Sequence, residues 1–286
     1  MRLGRLLILL LICALLAPAT ASARPLVGIG DQHATSFEDP AMRKLGLRFA
    51  RLALAWDWYK DPGVVAGTDA WVAAVKAAKL RPLITFNRNW RRSGRKYIPP
   101  VKRYLYSFRK LRERYPHVRE FSPWNEPNAK EQPFYRKPGI AARYFNAMRR
   151  ACPRCTVVAG DVKDGTSMVP WLNVYKRKVR GAKIWALHNY KDATRSRAYT
   201  AQFLRTVRGP VWLTETGGMR ARGGLKGQAK AVRRVFALAR ASRRIKRIYF
   251  YQWRHHGSGR WDSAFVSKNG KRRPAYYALR AGLRGR

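Results

Sequence analysis

The sequence predicts an α/β fold, a single (β/α)8 TIM barrel. Three observations carry that prediction. Short apolar runs recur eight times, at roughly the ~31-residue spacing of a barrel unit. Segments with helical periodicity lie between them. The competing plan, an open doubly wound sheet, would usually carry a Gly-rich phosphate turn after its first strand. That place holds Gly28-Ile29-Gly30-Asp31-Gln32-His33, which lacks the final glycine and is not followed by an obvious helix.

In chain order, the expected strands are residues 26–30, 47–54, 81–86, 118–124, 156–160, 183–188, 210–215 and 247–253. Each is a short apolar run flanked by polar or turn-forming residues. The Ala-rich stretch 70–78 predicts the first helix. Residues 101–114 place Tyr104, Leu105, Phe108 and Leu111 on one stripe. Residues 140–150, 168–178, 197–207 and 228–241 behave in the same way, and a last helix is expected over 274–283.

Residues 1–23 read as an export signal. Arg2 and Arg5 precede an apolar run over 6–16, and Ala21-Ser22-Ala23 offers a small-x-small cleavage site. The run is short for the ~30 Å of a hydrocarbon core, and no later stretch is long and apolar enough to span one. The expectation is a secreted protein, cleaved after Ala23, with one domain over 24–286 and no membrane span. A monomer is expected. Cys13 leaves with the signal. In an exported chain Cys152-Pro153-Arg154-Cys155 is expected to form a small disulfide, with no second pair to complete a zinc site.

The charge is extreme, with 61 Lys+Arg against 15 Asp+Glu and a formal net charge of +46. It has two readings. One is a solvated basic surface. The other is engagement of a polyanion, such as an acidic polysaccharide or cell-wall polymer. Ten Trp, 14 Tyr and 11 Phe argue against disorder. No nucleic-acid-binding motif appears. The adjacent His255 and His256 have no companions at metal-ligand spacing, so neither metal nor cofactor is expected.

Carboxylates are scarce, and only six are Glu, at 38, 113, 120, 126, 131 and 215. Two of them end apolar, strand-like runs: Ser122-Pro123-Trp124-Asn125-Glu126-Pro127-Asn128 and Val211-Trp212-Leu213-Thr214-Glu215-Thr216-Gly217-Gly218. Glu126 follows the fourth expected strand and Glu215 ends the seventh. A barrel builds its active site at the C-terminal mouth of its strands, where these two stand across from each other. Hydrolysis of a glycosidic bond needs two facing carboxylates.

Trp-Asn-Glu-Pro-Asn after strand four, combined with Leu-Thr-Glu-Thr-Gly at strand seven, resembles the clan A retaining glycoside hydrolases, in particular their family 5 and family 39 barrels. The resemblance covers the order of elements over the whole mature chain but rests on short motifs. It implies a double-displacement hydrolase of a β-linked glycan, with Glu126 as general acid/base and Glu215 as nucleophile. It also implies Asn125 on the sugar 2-hydroxyl, Arg51 supporting the nucleophile, a His188/Tyr190 pair nearby, and Trp253 as the aromatic floor. Trp56, Asn87, Trp261 and Asp31 are further candidates to line subsites. An adjacent carboxylate should raise the acid's pKa while the basic background opposes this, so an acid-shifted optimum is expected. The chain has no room for the extra β-domain of many family 39 members. Its loops are brief apart from 87–98 and 126–139, which suits an open cleft and a polymer. The rival reading is a non-catalytic barrel that binds an anionic polysaccharide.

Overall fold

The computed structural model describes residues 24–89, 96–256 and 261–285. The expected signal over 1–23 with Cys13, and part of the 87–98 loop with Arg91-Arg92, lie outside them. The strands are β1 (Leu26–Gly30), β2 (Phe49–Ala55), β3 (Arg81–Asn87), β4 (Glu120–Ser122), β5 (Thr156–Val157), β6 (Ala159–Lys163), β7 (Trp185–His188), β8 (Val211–Thr216) and β9 (Ile245–Tyr251). All pair in parallel, in the order β5-β4-β3-β2-β1-β9-β8-β7-β6. The two ends of that order are neighbours in sequence. Val158 N–H donates to Phe121 O on the β4 side, and Ala159 N–H donates to Ile184 O on the β7 side. One strand, expected over 156–160, therefore serves both edges and closes eight barrel strands.

Helices α1 (Pro40–Arg43), α2 (Pro62–Ala77), α3 (Val101–Arg114), α4 (Pro138–Ala151), α5 (Met168–Lys178), α6 (Tyr190–Arg195), α7 (Tyr199–Thr206), α8 (Gly224–Ala241) and α9 (Pro274–Arg284) connect the strands. Helix α2 begins well before the predicted residue 70. Asp61 Oδ1 accepts from Gly63 and Val64 N–H, and Pro62 supplies the first-turn geometry. Helix α3 buries Tyr104, Phe108 and Leu111, as its periodicity predicts. The Cys152–Cys155 disulfide is present between the end of α4 and the start of β5.

Alternation along the strands fills the barrel in layers. Near the strand N-termini, Glu120 pairs with Arg81 (2.6 Å) and with Arg247. The Arg247 guanidinium stacks 3.7 Å from both the Phe49 and Trp212 rings. Phe49, Leu83, Val158, Ala186, Trp212 and Tyr249 form the middle plug. Two residues further along, β2 presents Arg51, β3 Thr85, β4 Ser122, β7 His188 and β8 Thr214, so the top layer is polar. Among the described residues no helix is long and apolar enough to cross a membrane.

Candidate active site

The polar top layer converges on Asp161, a fully buried carboxylate that sequence reasoning missed. Its Oδ2 accepts from Thr85 (2.8 Å), Ser122 (2.9 Å) and Arg51 Nη2 (3.2 Å), and its Oδ1 accepts from Thr214 (2.5 Å). Asp161 sits at a register shift between Gly160 and Val162, with φ 53°. This left-handed backbone is one that Asp tolerates better than most residues. The bulge turns the carboxylate inward, and Asp161 O accepts from Glu126 N–H (2.9 Å). Burial alone would raise its pKa. The Arg51 and His188 charges, with the hydrogen bonds, hold it far below the usual carboxylate range. A sequence signal did exist: one charge inside the apolar run Thr156-Val157-Val158-Ala159-Gly160-Asp161-Val162.

Arg51, also buried, binds three acceptors at once. Nη1 donates to Glu215 Oε2 (2.7 Å), and Nη2 donates to Asn125 Oδ1 (2.7 Å) and to Asp161. The other Glu215 oxygen, Oε1, accepts from Tyr190 Oη–H (3.1 Å). Glu215 is thus fixed through both oxygens. Asn125 spends its carbonyl oxygen on Arg51.

His188 is entirely buried, with Nδ1 3.0 Å from Glu126 Oε1 and Nε2 3.1 Å from Asp161 Oδ1. Burial would depress its pKa. The Asp161 and Glu215 charges, and the hydrogen bonds to Asp161 and Glu126, outweigh that and raise it to about 9. At neutral pH the ring is an imidazolium and both nitrogens donate. Arg51 Nη2, 3.2 Å from Nε2, shares the Asp161 carboxylate with it.

The same Nδ1 lies 3.8 Å from Glu215 Oε2. The facing oxygens of Glu126 and Glu215 are therefore no further apart than these two distances laid end to end. That span admits the ~5–5.5 Å separation of a retaining pair. The two side chains keep 17% and 15% of their surface exposed, so both reach the mouth. Glu126 adopts φ 45°, and Lys163 Nζ stands 4.0 Å from its Oε2. Burial pushes the Glu126 pKa up. The His188 hydrogen bond and charge, then Lys163 and Arg51, bring it below the ordinary value. The neighbouring carboxylate, expected to raise it, is outweighed by these cations.

Comparison with known proteins agrees with this architecture. A profile of the glycosyl hydrolase catalytic core family matches residues 116–277, from before β4 into α9. The chain belongs to the glycosyl hydrolase catalytic core family. No curated protein sequence matches it. Among solved structures it is similar to a family 39 glycoside hydrolase from Bacteroides cellulosilyticus WH2, with 16% identity, TM-score 0.66, and 92% of this chain and 64% of that one covered. It is similar to the exo-beta-1,4-mannosidase Op5Man5 from Opitutaceae bacterium strain TAV5, with 15% identity, TM-score 0.68, and 92% and 59% covered. It is also similar to xylanase 10B from Thermotoga maritima, with 11% identity, TM-score 0.66, and 92% and 96% covered. At these identities the likeness shows the fold. The chain spans less than two thirds of the length of the first two.

In this glycosyl hydrolase core, several side chains expected at the sugar are elsewhere. Trp253 is 0% exposed. Its indole N–H donates to Asp39 Oδ2 (2.9 Å), and its ring packs on Phe265 and Tyr276, so it has no face to offer a sugar. Strand β9 ends two residues earlier, at the half-buried Tyr251, whose pKa burial and then the Glu215 charge raise. Asn87 is buried, with Oδ1 accepting from Arg88 N–H and Gln132 Nε2. Trp56 is buried beneath Tyr97, and Asp31 is buried and anchors the Trp253 backbone N–H. All three are buried among the described residues, with almost no surface open to the mouth. Trp261, 40% exposed, meets Tyr190 edge-on at 4.7 Å and does border the mouth. His255 and His256 go to different partners, Asp262 (3.6 Å) and the His33 ring (3.6 Å). Among the described residues no His/Cys/Asp/Glu group could hold a metal ion.

Proposed function

We propose that the protein is a secreted retaining glycoside hydrolase that cleaves a β-linked poly- or oligosaccharide by double displacement. The observation that carries this reading is the unequal treatment of two neighbouring carboxylates. Glu215 is held through both oxygens by Arg51 and Tyr190, in the manner of a nucleophile aimed at one carbon. Glu126 is held on one oxygen by His188, which leaves the other beside Lys163 at the mouth. Glu126 would protonate the departing glycosidic oxygen while Glu215 attacks the anomeric carbon and forms the glycosyl-enzyme. Glu126, now a carboxylate, would then take a proton from water as the water displaces Glu215. Asn125 would donate to the sugar 2-hydroxyl. Support for a β-linked substrate comes from the names of the similar structures, an exo-beta-1,4-mannosidase and a xylanase. The Arg2–Ala23 pattern supports export.

The test is incubation with a panel of β-linked glycans beside a Glu215→Ala control, with the anomer of the first product read by NMR. Turnover with retained configuration, abolished in Glu215→Ala, is expected. Inverted product, or full turnover by the variant, would sink the assignment.

A further inference from the structure

Outside the barrel, a groove of about 840 Å³ runs along the packed helices α4 and α5. It is lined by six exposed cations: Arg136, Lys137, Arg143, Arg150, Lys178 and Arg180. No carboxylate contributes to its lining. Among the described residues none of the six side chains makes an ion pair or a hydrogen bond. Arg51, Arg81, Arg114, Arg247, Arg254 and Arg273, by contrast, all sit on carboxylates. With only 15 Asp+Glu in the chain, this groove is left with uncompensated charge.

Its geometry is ordered. Arg143 and Arg150 are seven residues apart on one face of α4, about 10.5 Å along the axis. Arg136 and Lys137 line the groove just before the start of α4, on the segment that follows Glu126. Asn146 ties the floor together, donating to Lys178 O (2.9 Å) and accepting from Arg180 N–H (2.8 Å). The apolar part of the lining is aliphatic, from Val101, Ile140 and Val174. It holds no aromatic ring on which a base could stack, as single-stranded nucleic acid requires, or on which a neutral sugar could lie. An elongated groove lined by six cations and no carboxylate suits a linear polymer that carries repeated anionic charge.

We propose that the α4–α5 groove is a docking track for an acidic polysaccharide of the polyuronate type, leading from the outer wall of the barrel to its mouth. The choice of a polysaccharide over nucleic acid rests on the glycoside hydrolase reading. Binding in the track itself requires no turnover.

The experiment uses full-length Glu215→Ala protein, so that hydrolysis cannot interfere, and soluble polygalacturonate as probe over a salt series. The groove variant adds Arg143→Gln, Arg150→Gln and Lys178→Gln. The control adds Lys226→Gln, Lys230→Gln and Arg233→Gln, exposed positions on α8 that remove the same charge. The groove variant should lose at least tenfold more affinity than the control, with the slope of log K against log salt shallower by about 2. Equal loss in both variants would reduce the effect to overall charge and overturn the track. Duplex DNA is the second probe, and the two variants should weaken it alike. A groove-specific loss greater for DNA than for polygalacturonate would overturn the polysaccharide assignment. Failure of the glycan panel with intact groove-specific binding would separate this inference from the catalytic one.

Discussion

Asp161 alters what the two glutamates can do. Arg51 and the His188 imidazolium bring two positive charges into a buried cluster, and Asp161, Glu126 and Glu215 bring three negative ones. Lys163, 4.0 Å from Glu126, brings the compensating third positive charge. Asp161 acts on Glu126 through His188, which it holds against the Glu126 carboxyl. Asp161→Asn should drop the His188 pKa from about 9 toward its ordinary 6.5, read by imidazole NMR. It should also cost roughly tenfold or more in kcat/KM, about 1.4 kcal/mol. A loss of activity with an unmoved His188 titration would reduce Asp161 to a packing role. Because the Glu126 pKa is lowered, the acid form is populated only toward low pH. The kcat/KM profile should peak on the acid side of neutrality, and an optimum above pH 8 would contradict the acid assignment. The raised His188 contributes stability that is fully present below 6.5 and is lost as pH rises through about 9. The unfolding temperature should fall across that interval and should do so less in Asp161→Asn.

The elements that matter most are those whose regular geometry breaks. The register shift in β6 turns Asp161 into the barrel, and one between Leu213 and Thr216 in the β8–β9 pairing lets Thr214 face Asp161 while Glu215 reaches the mouth. Such irregularities re-aim side chains next to active sites. The loops above are joined by their own basic residues: Arg88 donates to Glu131 O and Lys96 to Lys130 O, linking the segments after β3 and β4. At the opposite rim, Trp261 rests edge-on against Tyr190 with much of its face open. Trp261→Ala should raise KM several-fold and leave kcat nearly unchanged, as expected for binding that is equal in ground and transition states. The Cys152–Cys155 bridge closes a very short loop. Its removal by Cys152→Ser with Cys155→Ser should cost at most about 2 kcal/mol in chemical denaturation.

At the scale of the whole molecule, the barrel is held from within by a charged layer as well as by its apolar plug. Glu120 and Arg247 are both buried, and the Arg247 guanidinium is clamped between Phe49 and Trp212. Glu120→Ala leaves that guanidinium without its carboxylate and should destabilise the fold by about 3–5 kcal/mol in urea unfolding. A loss below 1 kcal/mol would show that stacking alone keeps Arg247 in place. Many of the exposed cations lie on the outer helices, and a field of +46 favours anionic partners and works against protonated acids.

The sequence by itself determined the barrel, its strand order along the chain, the disulfide partners and the two mouth glutamates. These are local in kind: apolar periodicity, short motifs, and cysteines too close to pair otherwise. Asn125, Arg51, His188 and Tyr190 were legible through the family resemblance; Asn125, His188 and Tyr190 end or follow strands, while Arg51 lies inside β2. Tertiary structure alone decided which polar residues gather around the two glutamates and which are buried in the wall. Trp253, Trp56 and Asn87 stand at or just past strand ends, yet all three are buried. Asp161 was hidden for the complementary reason. Its partners come from five other strands, β2, β3, β4, β7 and β8, and nothing in the linear order of Arg51, Thr85, Ser122, His188 and Thr214 announces that they meet on one carboxylate.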